Sequence, residues 1–167
     1  VVLYFRKPRK LLVLTGPPFD ENKDREIAEM VSLYDGKTAI CGGTTANIIE
    51  RELCLKCEID KTSFDENIPM ASVMEGIDLV TEGILTLTEV YRMLKEGIEK
   101  NKNNAAVRLA NLLLDSDRID FVVGTKINIA HQDPNLPMEL EIRRNIVKKI
   151  FRLLQDKYFK EISVRYV

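Results

Sequence analysis

The sequence predicts an α/β domain, a single three-layer unit with a mostly parallel sheet of about five or six strands and helices on both faces. Three observations carry this. Short apolar or alternating runs recur along the chain, separated by longer stretches with apolar residues at helical spacing, the pattern of strand–helix–strand units. Glycines mark strand-to-helix junctions, as in "LLVLTGPP" and "AICGGTTAN". At 167 residues, the chain is long enough for one domain with one sizeable core.

The elements follow in order. Leu11–Thr15 is a continuous apolar run closed by Gly-Pro-Pro, a buried strand. Ile27, Met30, Val31 and Tyr34 line one helical face, and Asp35-Gly36 predicts a glycine-capped end. "KTAIC" is the second strand, and Ala46, Ile49 and Leu53 line the helix after "GGTT". Leu55, Cys57 and Ile59 alternate as a third strand. Residues 61–75 read as irregular, and Ile77–Thr81 as a short strand or an extended turn. Thr86 and Glu89 have capping-box spacing, with Leu85 and Val90 as a hydrophobic staple, predicting a helix from Thr86 to about Lys100. Ala106, Leu109, Ala110 and Leu113 mark another helix, "RIDFVVGT" a strand, and Ile142 to Leu154 a long helix over 138–157. "KEISVRYV" closes the chain with Ile162, Val164 and Tyr166 alternating.

Composition narrows the function classes. Lys+Arg 25 against Asp+Glu 26 gives a net charge of −1, without the basic excess of a nucleic-acid binder. No apolar run approaches the roughly 18 residues of a membrane span, and the start does not have the form of a signal peptide. Cys41, Cys54 and Cys57 are an odd number, for which reduced thiols are the simplest reading, and a cytoplasmic protein is expected. Cys54 and Cys57 have C-x-x-C spacing, but a structural zinc site needs four ligands and only Cys41 and His131 remain.

In a parallel sheet ligands bind beyond the carboxyl ends of the strands. The strongest candidate there is "GGTTAN": Gly42, Gly43, Thr44, Thr45 and Asn47 at a helix start, where unpaired N–H groups and the helix dipole favour an anion. It lacks the lysine of a P-loop, and a tight turn with a threonine cap is the plainer reading. His131, beside Asp133 in "NIAHQDPNLP", could bind phosphate, hold a metal or transfer a proton; otherwise it is a loop histidine bonded locally. Asp78 and Glu82 are an even number apart on an extended segment and could hold Mg²⁺ or share a proton, with Glu75 nearby and Gly83 leading into a helix; otherwise they are solvated loop charge. The basic run Arg6–Lys10 reads as a solvated linker, and Arg143, Arg144, Lys148, Lys149 and Arg152 as the outer face of the last long helix.

With "GGTTAN", "MEGIDLVTEGILTLTEVY" and "VGTKINIAHQDPNLPMELEIRRN" read together, the chain resembles the C-terminal segment of bacterial stage II sporulation protein E-type phosphatases, of the metal-dependent PPM class of serine/threonine phosphatases. The likeness covers nearly the whole chain. It implies that residues 1–10 are the end of an upstream phosphatase domain and a basic linker, and that 11–167 form the single α/β domain. That phosphatase domain would use Mn or Mg held by aspartates in Asp-Gly motifs. Here the only Asp-Gly pair is Asp35-Gly36, at a helix end, so no phosphatase cofactor is expected within this segment. The expected function is a non-catalytic regulatory or ligand-binding domain, taking a small anion or nucleotide at Gly42–Thr45 with Glu82, Gly83, His131 and Asp133 closing the site. Its expected partner is the phosphatase domain of the same chain. The alternatives are an enzyme using His131, Glu82 and Asp78 on a phosphate-bearing small molecule, and a homo-oligomerisation module.

Overall fold

The computed structural model describes residues 5–98, 102–126 and 136–167, of which 136–140 are described by backbone alone. Among the described residues seven strands form one sheet: β1 (Lys10–Thr15), β2 (Lys37–Cys41), β3 (Cys57–Ile59), β4 (Ser72–Met74), β5 (Ile77–Thr81), β6 (Arg118–Val123) and β7 (Glu161–Tyr166). Their spatial order is β3-β4-β5-β2-β1-β6-β7. The pairs β5–β2, β2–β1, β1–β6 and β6–β7 are parallel; β3–β4 and β4–β5 are antiparallel. The helices are α1 (Asp24–Ser32), α2 (Gly43–Leu53), α3 (Ile84–Glu96), α4 (Ala105–Asp115) and α5 (Leu136–Asp156).

Alternation along the central strands divides the core between two faces. Leu12, Leu14, Ile40 and Val122 pack with Ile27, Ala28 and Val31 of α1 and with Ala46 and Ile49 of α2. Leu11, Val13, Ile119 and Phe121 pack with Leu87, Val90 and Leu94 of α3, Leu109 and Leu113 of α4, and Val147, Ile150 and Leu154 of α5. The result is the expected three-layer α/β domain with a mostly parallel sheet, one strand wider than anticipated. The additional strand is β4, inside the stretch read as irregular. It forms a hairpin with β5 through Glu75 and Gly76, whose φ of +76° suits a residue without a Cβ.

The caps of α3 and α1 differ from expectation. α3 begins at Ile84 with Gly83 as its cap, so Thr86 lies buried inside the first turn. Glu89 pairs with Arg92 at 2.6 Å, and Leu85 is exposed, so neither the capping box nor the staple forms. Instead the Glu82 carboxylate accepts the Leu85 N–H at 3.1 Å. α1 ends at Leu33 in right-handed geometry, and Gly36 serves close packing: a Cβ there would lie 2.7 Å from the Lys10 carbonyl oxygen.

The basic run is folded against the domain. Lys10 opens β1, Arg6 pairs with Asp117, and the Arg9 N–H donates to the same carboxylate at 2.7 Å.

The irregular stretch is tied to α4 by a polar clasp. Asp60 accepts from the Thr62 hydroxyl at 2.7 Å and from Arg108 Nη1 at 2.6 Å. The hydrogen bonds from Thr62 and the Arg108 guanidinium hold its carboxyl at about 2. A carboxyl depressed in the folded state stabilises above its unfolded value of about 3.9, and that stabilisation is lost as pH falls through about 2. Asp60→Asn should therefore be less stable than the parent at pH 5, with the gap closing toward pH 2. Urea midpoints across that range measure it, and a pH-independent gap would assign the effect to something other than this charge.

Candidate anion-binding site

Four parallel strands end side by side: Thr15 of β1 is in register with Cys41 of β2 and Val123 of β6, and Cys41 with Thr81 of β5. The chain leaves β1 toward β2 on one side and later returns to β6 on the other, so the strand order reverses at β1. A crevice for ligand is expected between the ends of β1 and β6. That crevice is closed. The Gly124 N–H donates to the Thr15 carbonyl at 2.8 Å, and the Lys126 N–H to the Pro17 carbonyl at 3.2 Å. A Cβ at Gly124 would lie 2.1 Å from the Pro17 oxygen and 2.2 Å from the Gly16 oxygen. Backbone fills the space that a ligand would occupy.

The open site lies one strand over, above β1, β2 and β5. It is a cavity of about 180 Å³ lined by Gly16 and Pro17, by Gly42 to Thr45, by Glu82 and Gly83, and by Arg143 of α5. Gly42 caps α2 with φ +137° and ψ +129°, a conformation that L side chains rarely adopt, and its N–H donates to the Thr81 carbonyl at 2.9 Å. This turn brings the first N–H groups of α2 to the cavity. No side chain among the described residues caps them, and first-turn N–H groups have no partner within their own helix. A Cβ at Gly43 would meet none of the described residues within 4 Å.

Thr45 is the decisive residue. It is 1% exposed, lines the cavity, and its hydroxyl has no hydrogen-bond partner among the described residues. Helical threonines usually bond the carbonyl four residues back, as Thr88 does to Ile84 at 2.8 Å. Thr45 does not. The hydroxyls of Thr15 and Thr86 are likewise buried without a partner among the described residues. Arg143 lies across the β1 end: a Cβ at Gly16, whose φ is +80°, would sit 2.8 Å from Arg143 Nη1. Glu82 contributes a negative charge, turned toward the start of α3 by its bond to Leu85.

A second cavity, of about 200 Å³, adjoins the first, and Pro17 and Thr44 line both. Its walls add Pro18, Ile48 and two ion pairs, Arg51 with Asp24 at 2.6 Å and Lys126 with Glu21.

The structure thus gathers Gly42, Gly43, Thr44, Thr45, Glu82 and Gly83 around one cavity. Thr44 and Thr45 lie within the first turn of α2, and Gly42 takes the cap position expected of a threonine. Asn47 is exposed on α2 and is not part of the lining. Asp78 and Glu82 are separated. Four residues of strand span about 13 Å, and Asp78 faces the opposite end of β5, where it accepts the Thr38 N–H at 2.8 Å. Glu75 is in the hairpin turn at that same far end. A carboxylate pair is therefore not assembled there, and the sequence parity argument fails on distance. His131 and Asp133 lie outside the described residues.

Arg143 is a correction in the other direction. The sequence placed it on the outer face of α5, yet it lines the cavity. The signal was present: Arg143 lies four residues before Val147 and seven before Ile150, both fully buried, so it belongs to the inward stripe.

The cysteines do not cluster with other metal-binding side chains: among the described residues no group of three His, Cys, Asp or Glu side chains could hold a metal ion. All three are free thiols. Burial pushes the Cys41 thiol up to about 12, and Cys54 is exposed at the left-handed cap of α2 with φ +54°. Iodoacetamide at pH 8 should modify Cys54 in the native protein and leave Cys41 untouched until denaturant is added. Peptide mass mapping checks this, and native labelling of Cys41 would show that the floor of the site opens.

Among the described residues no helix is long and apolar enough to cross a membrane. Fold and site together define an α/β domain with a small polar cavity beyond the strand ends. In comparisons with protein-family models, curated proteins and solved structures, nothing matched the chain.

Proposed function

We propose that this domain is a non-catalytic ligand-binding module that takes a small anion, with a phosphate group as the best fit, at the start of α2. The observation that carries the reading is the Thr45 hydroxyl, buried without a partner among the described residues and beside helix N–H groups that none of those residues' side chains caps. A buried hydroxyl without a hydrogen bond costs about 1–3 kcal/mol, and an anion accepting from it would remove that cost. Backbone N–H groups, a hydroxyl and a guanidinium are all donors, the complement of a phosphate's acceptor oxygens. The resemblance to stage II sporulation protein E-type phosphatases supports a regulatory role, in which ligand binding biases a PPM-class phosphatase domain of the same protein. In that setting coupling is a measurable free energy: ligand must change phosphatase turnover, or phosphatase substrate must change ligand affinity.

Inorganic phosphate should raise the melting temperature of the 167-residue chain in a saturable way. Arg143→Gln should weaken the binding at least tenfold, since the hydrogen bonds it would remove are charge-assisted. A flat response of the parent to phosphate up to tens of millimolar would overturn the reading.

A further inference from the structure

The second cavity specifies what the phosphate is attached to. Resting on the reading above, we infer that the ligand is a small hydroxylated phosphomonoester, a sugar or polyol phosphate, with its phosphate over the start of α2 and its hydroxylated body in the adjoining cavity. The two spaces meet at Pro17 and Thr44, so a group in the first leads directly into the second. Inorganic phosphate would leave the second space to solvent.

The chemistry of that space selects hydroxyls over a second phosphate. Among the described residues its two cations are each matched by a carboxylate, Arg51 by Asp24 and Lys126 by Glu21, which leaves no surplus positive charge among them. The wall beside them is Pro17 and Pro18, which have no N–H to offer an anion. Asp24 and Glu26 stand in the first turn of α1, so that helix start is already occupied by negative charge. A carboxylate engaged by one cation keeps lone pairs free, and it accepts only, so it suits a hydroxyl donor. Asp24 is held for this, with its side chain 8% exposed and fixed by Arg51 at 2.6 Å. Size points the same way: cavities of about 180 and 200 Å³ suit a ligand at the small end of the usual range of roughly 300–1,000 Å³ for binding pockets.

Isothermal titration of the 167-residue chain with inorganic phosphate, pyrophosphate, ribose 5-phosphate and adenosine monophosphate tests the inference. Ribose 5-phosphate should bind at least tenfold more tightly than inorganic phosphate, and adenosine monophosphate no more tightly than ribose 5-phosphate. Ile48→Phe, which fills the second cavity from its wall, should reduce ribose 5-phosphate to the affinity of inorganic phosphate without changing the latter. Should that variant fail to fold, Asp24→Asn keeps the volume and an oxygen for Arg51, and should cost ribose 5-phosphate at least threefold with no loss for inorganic phosphate. Equal affinities for phosphate and ribose 5-phosphate would overturn this inference while leaving the anion site intact. Preference for pyrophosphate, or a further tenfold gain with adenosine monophosphate, would overturn it in favour of a polyphosphate or a nucleotide. Absence of binding by all four compounds would overturn the anion site itself.

Discussion

Gly124→Ala is expected to destabilise the domain by about 3 kcal/mol or more. The added methyl would sit 2.1 Å from the Pro17 oxygen, 2.2 Å from the Gly16 oxygen and 2.4 Å from the Gly16 carbonyl carbon. Overpacking a core by a methylene or two typically costs 1–3 kcal/mol, because side chains can shift to relieve it. Here the obstacles are main-chain atoms, and they are tied down: the Gly124 N–H bonds the Thr15 carbonyl at 2.8 Å and the Lys126 N–H the Pro17 carbonyl at 3.2 Å. Relief requires β1 and β6 to separate at their ends, where both are fully buried in the core. For a chain of this size about 3 kcal/mol corresponds to a fall of roughly 6–12 °C in melting temperature. Gly43→Ala is the control. Its Cβ would meet none of the described residues within 4 Å and its backbone is not in the left-handed region, so its stability should stay within about 1 kcal/mol of the parent. Urea unfolding of both variants decides the matter. If Gly124→Ala behaves like Gly43→Ala, the two strand ends are not sealed together, and the crevice between them is open to ligand.

How much of this was legible in the sequence depends on the range of the physics involved. Periodicity is local, so Leu11–Thr15, "KTAIC", "RIDFVV" and the faces of α2 and α4 could be read directly. The hairpin partner β4 could not. Ser72–Met74 is three residues long, and its strand character comes from pairing with β3 and β5. The candidate loop was visible because Gly42-Gly43 follows an apolar run. Its depth was not, because Arg143 arrives from a helix a hundred residues later and Gly16 from the end of another strand. Thr86 was misread for a related reason. Its spacing to Glu89 satisfies the capping box, but tertiary packing starts α3 two residues earlier and buries Thr86 completely. Separation along a strand also limits parity arguments: Asp78 and Glu82 share an even spacing, yet β5 carries them to opposite ends of the sheet.

Thr45→Val should reverse the order of stability between variant and parent according to whether phosphate is present. Without ligand, Thr45 buries a hydroxyl that has no partner among the described residues, while valine has nearly the same shape and a similar helix propensity. Removing an unsatisfied buried polar group recovers part of a desolvation cost of about 1–3 kcal/mol, so the variant should be more stable by about 1 kcal/mol, or 2–4 °C. With phosphate at a hundredfold excess over Kd, the parent gains about 2.7 kcal/mol by mass action. The variant loses a hydrogen bond to a charged oxygen, worth about 1.5–3 kcal/mol, which is roughly a 10- to 150-fold loss of affinity. At the same phosphate concentration it should then gain only about 0.3–1.4 kcal/mol. The parent therefore overtakes the variant, or draws level with it, as phosphate is added. Two melting curves per protein, with and without phosphate, are enough to see the crossing. An ordinary structural threonine gives a different pattern, in which Thr45→Val destabilises by the same amount in both conditions and the phosphate-dependent shift of the parent is retained. That pattern would remove the hydroxyl from the site and leave Gly42 and Gly43 as a turn into a helix.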